Sequence, residues 1–157
     1  MYDFGKQGLE ELAGELGIAG NVVFTGFVPE EDLPMIYQLS HCFIIASIAE
    51  LLSLATLQAM ASGLPVIAVR AGALEELVHE RINGLLFDAG DVESMVSCME
   101  EMIGNDALRS KMSSKNLEYI KQHDIHESVK SFERIYERLG RGAAGDNIKV
   151  RFLPCRN

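Results

Sequence analysis

Apolar positions along the chain follow two alternating rhythms. The runs His41-Cys42-Phe43-Ile44-Ile45-Ala46 and Pro65-Val66-Ile67-Ala68-Val69 lack polar alternation, the form a parallel strand takes when both of its faces are covered. Around them the apolar residues recur at helical spacing. Leu9, Leu12, Ala13 and Leu16 share a face of a helix predicted over residues 6–16 and punctuated by Gly17 and Gly20. Leu33, Met35, Ile36 and Leu39 follow Pro29-Glu30-Glu31-Asp32, whose carboxylates suit a helix N-terminus. Short strands are expected at 21–24 and 83–87, and a short helix at 73–79. Asp91 and Asp106 are expected to cap two further helices, with Met95, Met99, Met102 and Met112 turned inward. A last helix, about residues 125–139, carries Val129, Phe132, Ile135 and Leu139 on one face. Repeated β–α order followed by helices predicts an α/β class: a Rossmann-like parallel sheet with flanking helices.

The centre of this pattern is residues 46–69, a strand end, a loop, a short helix and a second strand, which together form a βαβ unit. The loop carries Glu50 to a point just past a strand's carboxyl end and just before a helix N-terminus. Open α/β sheets bind ligands there, and backbone N–H groups attract phosphate there.

Composition narrows the possibilities. With 157 residues, 48% hydrophobic and 24% charged, the chain fits one globular domain. That domain is expected over 1–140, with 10 basic and 22 acidic side chains; a tail at 141–157 has 4 and 1. A formal charge of −9 argues against nucleic acid or an anionic membrane as the main partner. No apolar run is long enough to cross a bilayer and the first residues do not resemble a signal peptide, so a cytoplasmic chain is expected. Cys42, Cys98 and Cys155 lack metal-ligand spacing, and His123 and His126 fall at a helix joint, so no metal site is expected.

Ser47-x-x-Glu50, the run from Ala59 to Ala68 (Ala-Met-Ala-Ser-Gly-Leu-Pro-Val-Ile-Ala), Gly72, Glu76-Leu77-Val78 and Asn83-Gly84-Leu85-Leu86 resemble, in order and spacing, the donor-binding half of group 1 glycosyltransferases of the GT-B fold. The likeness covers roughly residues 20 to 140. It implies retaining transfer of a hexosyl group from a nucleotide-diphosphate sugar to a glycan or lipid acceptor, with no bound cofactor or metal. It implies that Glu50 is catalytic, hydrogen-bonding hydroxyls of the donor hexose without acting as nucleophile. Thr25, Gly26, Leu51, Leu52, Ser53, Leu54 and Gln58 are the implied donor-binding residues, Thr25 and Gly26 beside the nucleobase. It also implies an N-terminal acceptor-binding half as partner, and a parent protein that is cytoplasmic or peripheral to the inner membrane face.

The chain departs from the family pattern in three places. The second Glu of the motif is Gln58, whose amide accepts with one oxygen where a carboxylate offers two, at a cost of about 1 kcal/mol toward a ribose diol. Leu51-Leu52-Ser53 replaces a glycine-containing run that brings backbone N–H groups to the diphosphate, leaving the amides of Leu52, Ser53 and Leu54 to face an anion, while Ser53 equally serves as an N-cap. No residue matches the Arg and Lys that neutralise the diphosphate, and Arg70 reads as a surface charge. A non-catalytic nucleotide-binding or interaction domain is therefore the alternative. A receiver-type signalling domain would need an acidic pair that Thr25-Gly26-Phe27-Val28 does not supply. The resemblance starts the chain before the family's third strand, which leaves apolar edges at Val22-Val23 and Phe43-Ile44-Ile45 and predicts a homo-oligomer formed through them.

Overall fold

The computed structural model describes residues 5–142, which fall into two compact units, one ending at Leu39 and one beginning at Ser40. Residues 143–157 of the expected tail lie outside the described residues, whereas 141–142 continue the last helix.

In the first unit, α1 (Lys6–Glu15) buries Ala13 and leaves Leu9, Leu12 and Leu16 about half exposed. It ends where Ile18 N–H returns to the Ala13 carbonyl at 2.9 Å and Gly17 N–H to that of Gly14 at 3.0 Å, the Schellman pattern expected of a glycine-terminated helix. A 3-10 turn follows at Ala19–Asn21, and α2 (Leu33–Leu39) follows the acidic turn as expected. The predicted strand at 21–24 does not form. Asn21 belongs to the 3-10 turn and Val23 is 84% exposed. A β-prone sequence becomes a strand only when a neighbour supplies its ladder, and none of the described strands pairs with it.

In the second unit, β1 (Phe43–Ile45), β2 (Val66–Val69) and β3 (Gly84–Phe87) form a parallel sheet in the order β1-β2-β3. Phe43 lies opposite Val66, and Val66 opposite Gly84. This is the predicted α/β architecture. Every residue of β2 and β3 is buried, which accounts for their unbroken apolar sequence. The crossover from β1 to β2 is α3 (Leu54–Ala61), and α4 (Leu74–Leu77) joins β2 to β3. Gly63, at φ +77°, closes α3 while Leu64 N–H bonds back to the Ala59 carbonyl at 3.0 Å.

Helices α5 (Val92–Gly104), α6 (Asp106–Tyr119) and α7 (Ile125–Gly142) complete the chain. Asp91 caps α5 as expected, its carboxylate accepting from Ser94 N–H at 2.9 Å. The cap of α6 is Asn105 rather than Asp106: Asn105 has non-helical backbone and its Oδ1 accepts from Leu108 N–H at 2.9 Å. Asp106 already lies in the first turn and pairs with Arg109, whose guanidinium also donates to the Met102 and Ile103 carbonyls at the end of α5. Met102 and Met112 are fully buried and Met95 and Met99 pack against the same core. The apolar stripe of α7 forms as the periodicity predicts, yet Phe132 and Leu139 stay more than half exposed.

Two features fix the sheet. Asn116 of α6 donates through Nδ2 to the Leu64 carbonyl at 2.6 Å and the Asn83 carbonyl at 2.9 Å, tying together the segments that enter β2 and β3. Asn83 itself accepts from His79 N–H at 2.7 Å and donates to the Leu77 carbonyl at 2.9 Å. At Gly84 the backbones approach so closely that a Cβ would stand 2.3 Å from the Val66 carbonyl oxygen and 2.7 Å from Val78 Cγ1. The outer side of β3 is covered by its own preceding turn, with Glu80 accepting from Leu86 N–H at 3.0 Å and Arg81 N–H donating to the Gly84 carbonyl at 2.8 Å.

These contacts yield two expectations for urea unfolding of the whole chain. Gly84→Ala should cost about 2–4 kcal/mol, because backbone rather than a movable side chain occupies the methyl's position. Asn116→Ala should cost about 2–3 kcal/mol, since it strands two buried carbonyls and opens a cavity. Losses below about 1 kcal/mol for both would show that the sheet is not held at these points.

Candidate functional site

The candidate site lies at the carboxyl end of the sheet, where β1 runs into the loop preceding α3. Ser53 is buried and caps that helix: its Oγ accepts from Thr56 N–H at 3.4 Å and from the Thr56 hydroxyl at 2.8 Å. Both polar groups are satisfied inside the first turn, so the hydroxyl is a fixed part of the helix start. Leu54 N–H donates to the Leu52 carbonyl at 3.1 Å, so the amide expected to face an anion is already used. The neighbouring amides of Leu52, Ser53 and Ala55 make no hydrogen bond among the described residues. They are the donors this turn can offer.

Glu50 is half-buried, and its backbone carbonyl lies against Gly72 in the loop after β2. Leu51, Leu52 and Leu54 are 96, 57 and 65% exposed, and Ile48 is exposed as well. These exposed side chains give the turn before α3 an apolar surface. Gln58 is exposed one turn into α3, its carbonyl accepting from Ser62 N–H at 3.0 Å. Thr25 is exposed and Gly26 holds φ +65°; both belong to the unit that ends at Leu39.

Arg70 follows β2 directly. Its Nε lies 3.3 Å from Asp88 and its Nη2 3.4 Å from Glu80, and its backbone N–H donates to the Phe87 carbonyl at 2.7 Å. Two carboxylates match the one guanidinium, so this cation closes the β3 side of the sheet rather than serving the turn at Ser53. No local spacing signals this triad, because its members lie 10 and 18 residues from Arg70.

A shallow groove of about 320 Å³ is lined by His79, Ile82, Asn83, Lys115, Glu118 and Tyr119 among others. It lies by the turn that enters β3, away from the α3 start. Lys115 is paired with Glu118 at 2.8 Å and the Tyr119 hydroxyl donates to the Glu76 carbonyl at 3.0 Å, so these groups are engaged within the chain. Among the described residues no three His, Cys, Asp or Glu side chains converge as metal ligands. Burial pushes the Cys42 thiol up against a weaker opposite pull from Arg109, and burial likewise raises Cys98. Both stay protonated near neutrality, unlike an activated nucleophile or a ligand thiolate.

Residues 4–119 match the family described as glycosyl transferases group 1. A D-inositol 3-phosphate glycosyltransferase of Corynebacterium urealyticum is 33% identical over 131 residues, covering 83% of this chain and 31% of that protein. Among solved structures, HepE of Anabaena in complex with UDP superimposes with a TM-score of 0.75 at 26% identity, covering 88% of this chain and 38% of that one. The C-terminal domain of the group 1 family protein LpcC from Francisella tularensis gives 0.70 at 28% identity, covering 79% of this chain and 64% of that domain. The chain thus spans about a third of the length of the corynebacterial relative.

The site makes a clear distinction between two neighbouring residues. Ser53→Ala should lower stability by about 1–2 kcal/mol through loss of the cap. Glu50→Ala should change it by less than about 0.5 kcal/mol, because this carboxylate makes no hydrogen bond or ion pair among the described residues. Thermal unfolding of the two variants side by side checks this, and a large loss at Glu50 would make it a structural residue.

Proposed function

The chain belongs to the group 1 glycosyltransferases, and on that premise we propose that it is the nucleotide-sugar-binding half of a retaining hexosyltransferase acting on a glycan or lipid acceptor. The observation that carries this reading is the placement of Glu50 at the carboxyl end of β1, next to a helix start with uncommitted amides. A diphosphate at that turn would meet N–H groups and the positive end of α3. Glu50 would accept hydrogen bonds from hydroxyls of the hexose, holding the ring while the anomeric carbon–oxygen bond breaks and negative charge gathers on the departing diphosphate. Thr25, Gly26 and Gln58 are assigned to the nucleoside, Gln58 to its ribose, and Leu51, Leu52, Ser53 and Leu54 to the donor's sugar and phosphates.

The cation deficit sets the limits of this half. With Arg70 matched by Glu80 and Asp88, charge neutralisation at the diphosphate is assigned to the Arg and Lys that the family carries in the first part of the donor-binding domain, and the partner is an N-terminal acceptor-binding half, a cytoplasmic protein in this reading. No described helix is long and apolar enough to cross a membrane. Association of two copies along β1, motivated by the apolar run Phe43-Ile44-Ile45, is the accompanying proposal about the chain's own state. A single monomeric species in sedimentation would dismiss it. The rival reading, a nucleotide-binding domain without turnover, draws on the same paired Arg70 and on Gln58.

Two experiments test the proposal. Calorimetric titration with UDP, the nucleotide held by HepE, should give weak binding to this chain, tightened about fivefold in Gln58→Glu by the charged acceptor. Joined to an acceptor-binding half, the wild-type chain should transfer hexose with retained anomeric configuration. Glu50→Ala should abolish that transfer at unchanged Tm. Binding without any turnover would favour the rival.

A further inference from the structure

β3 ends the described sheet on the side opposite β1, and its outward hydrogen-bonding groups are all accounted for by groups that are not a strand. Successive residues of a strand turn their backbone polar groups to opposite sides, so Leu85 and Phe87 serve β2 while Gly84 and Leu86 face outward. The Gly84 carbonyl takes Arg81 N–H at 2.8 Å, and Leu86 N–H goes to the Glu80 carboxylate at 3.0 Å. The Leu86 carbonyl is met by the Cys98 thiol of α5 at 3.8 Å. Glu80 and Gly84 also form an isolated parallel bridge, so the turn at 79–83 stands where a fourth strand would lie.

This turn is held against its own backbone. Arg81 has φ +60°, the one left-handed residue other than glycine among the described residues, a conformation that a side chain disfavours. Its guanidinium is clamped by both oxygens of Glu101 on α5, at 2.6 and 3.0 Å. The neighbouring Glu80 is pinned in turn by Arg70 at 3.4 Å. Two carboxylates therefore keep the turn in place, one on the strand edge and one on the adjacent helix.

We propose that residues 79–83 are a strap that keeps β3 from pairing edge to edge with β3 of a second copy, with Glu80 and Glu101 as its two fastenings. The edge beneath is Gly84-Leu85-Leu86-Phe87, with neither charge nor proline to repel another strand. Every copy carries the same edge, so the partner it fits once uncovered is itself. The Glu80 carboxylate occupies the place that a second chain's carbonyl would take on Leu86 N–H. The proposal does not depend on donor binding, and it differs from association along β1, which leaves the Leu86 amide untouched.

Amide hydrogen exchange and sedimentation of the full chain, each in dilute and in concentrated solution, test it. In Glu80→Ala the Leu86 amide should exchange about tenfold faster than in the wild type when dilute. On concentration this variant should sediment as a larger species than the wild type, with the Gly84 and Leu86 amides regaining protection. Glu80→Gln keeps an acceptor for Leu86 N–H and should stay within about twofold of the wild-type rate, at the wild-type mass. Glu101→Ala leaves Arg81 strained and unclamped and should speed Leu86 exchange about threefold, whereas Arg81→Gly removes strain and clamp together and should stay near the wild-type rate. Wild-type rate and mass in Glu80→Ala, equal association of Glu80→Gln, or larger species whose Gly84 and Leu86 amides stay unprotected would each overturn the proposal. If Glu80→Ala does not fold, Glu101→Ala and Arg81→Gly decide, and equal Leu86 rates in those two would overturn it.

Discussion

The complete burial of β2 is the constraint from which the rest of the second unit follows. Val66, Ile67, Ala68 and Val69 have no exposed face, so the strand needs a neighbour on each side and a helix layer on each face. β1 and β3 supply the neighbours, the latter at a distance that only glycine at position 84 permits. Helices α3 and α5 pack on the sheet and α6 packs on both of them. A strand held in this way has fixed ends, and the loop leaving its carboxyl end inherits that rigidity. Gly72 and Arg70 sit on that loop.

Polar interactions divide the sheet's two ends between structure and chemistry. At the amino end, Asn116 and Asn83 satisfy buried backbone groups and bind α6 to two strand entries. One atom there, Asn116 Oδ1, is buried without a hydrogen-bond partner among the described residues. At the carboxyl end the pattern reverses. The β3 side is closed by Arg70 with Glu80 and Asp88, while the turn before α3 keeps uncommitted amides beside a half-buried carboxylate. In the proposed reading that asymmetry would direct the donor diphosphate to the α3 side.

Much of this was legible from residue pattern. The unbroken apolar runs identified β1 and β2, the 3.6-residue rhythm identified the helices, and Asp91 and Gly63 marked helix ends where they occur. Glu50 was legible because a strand, a loop and a helix in immediate succession put it at a predictable end of the sheet. The failures share a cause. Val22-Val23-Phe24 has strand chemistry but no ladder, and strandedness is a property of pairs. Asn105 and Asp106 are both good caps, and which one takes the position depends on Arg109 drawing Asp106 into the first turn. The Leu54 amide, the Arg70 triad and the Gly72 contact depend on groups brought together by folding, with no local periodicity to announce them.

Ligand chemistry is proposed for the carboxyl end of this sheet, at the α3 start. Amide chemical-shift titration of the whole chain with UDP-glucose tests it most directly. Perturbations are expected to concentrate at residues 50–58 and in the loop after β2. Perturbations confined instead to the groove at His79, Asn83, Lys115 and Tyr119, at the turn entering β3, would contradict it.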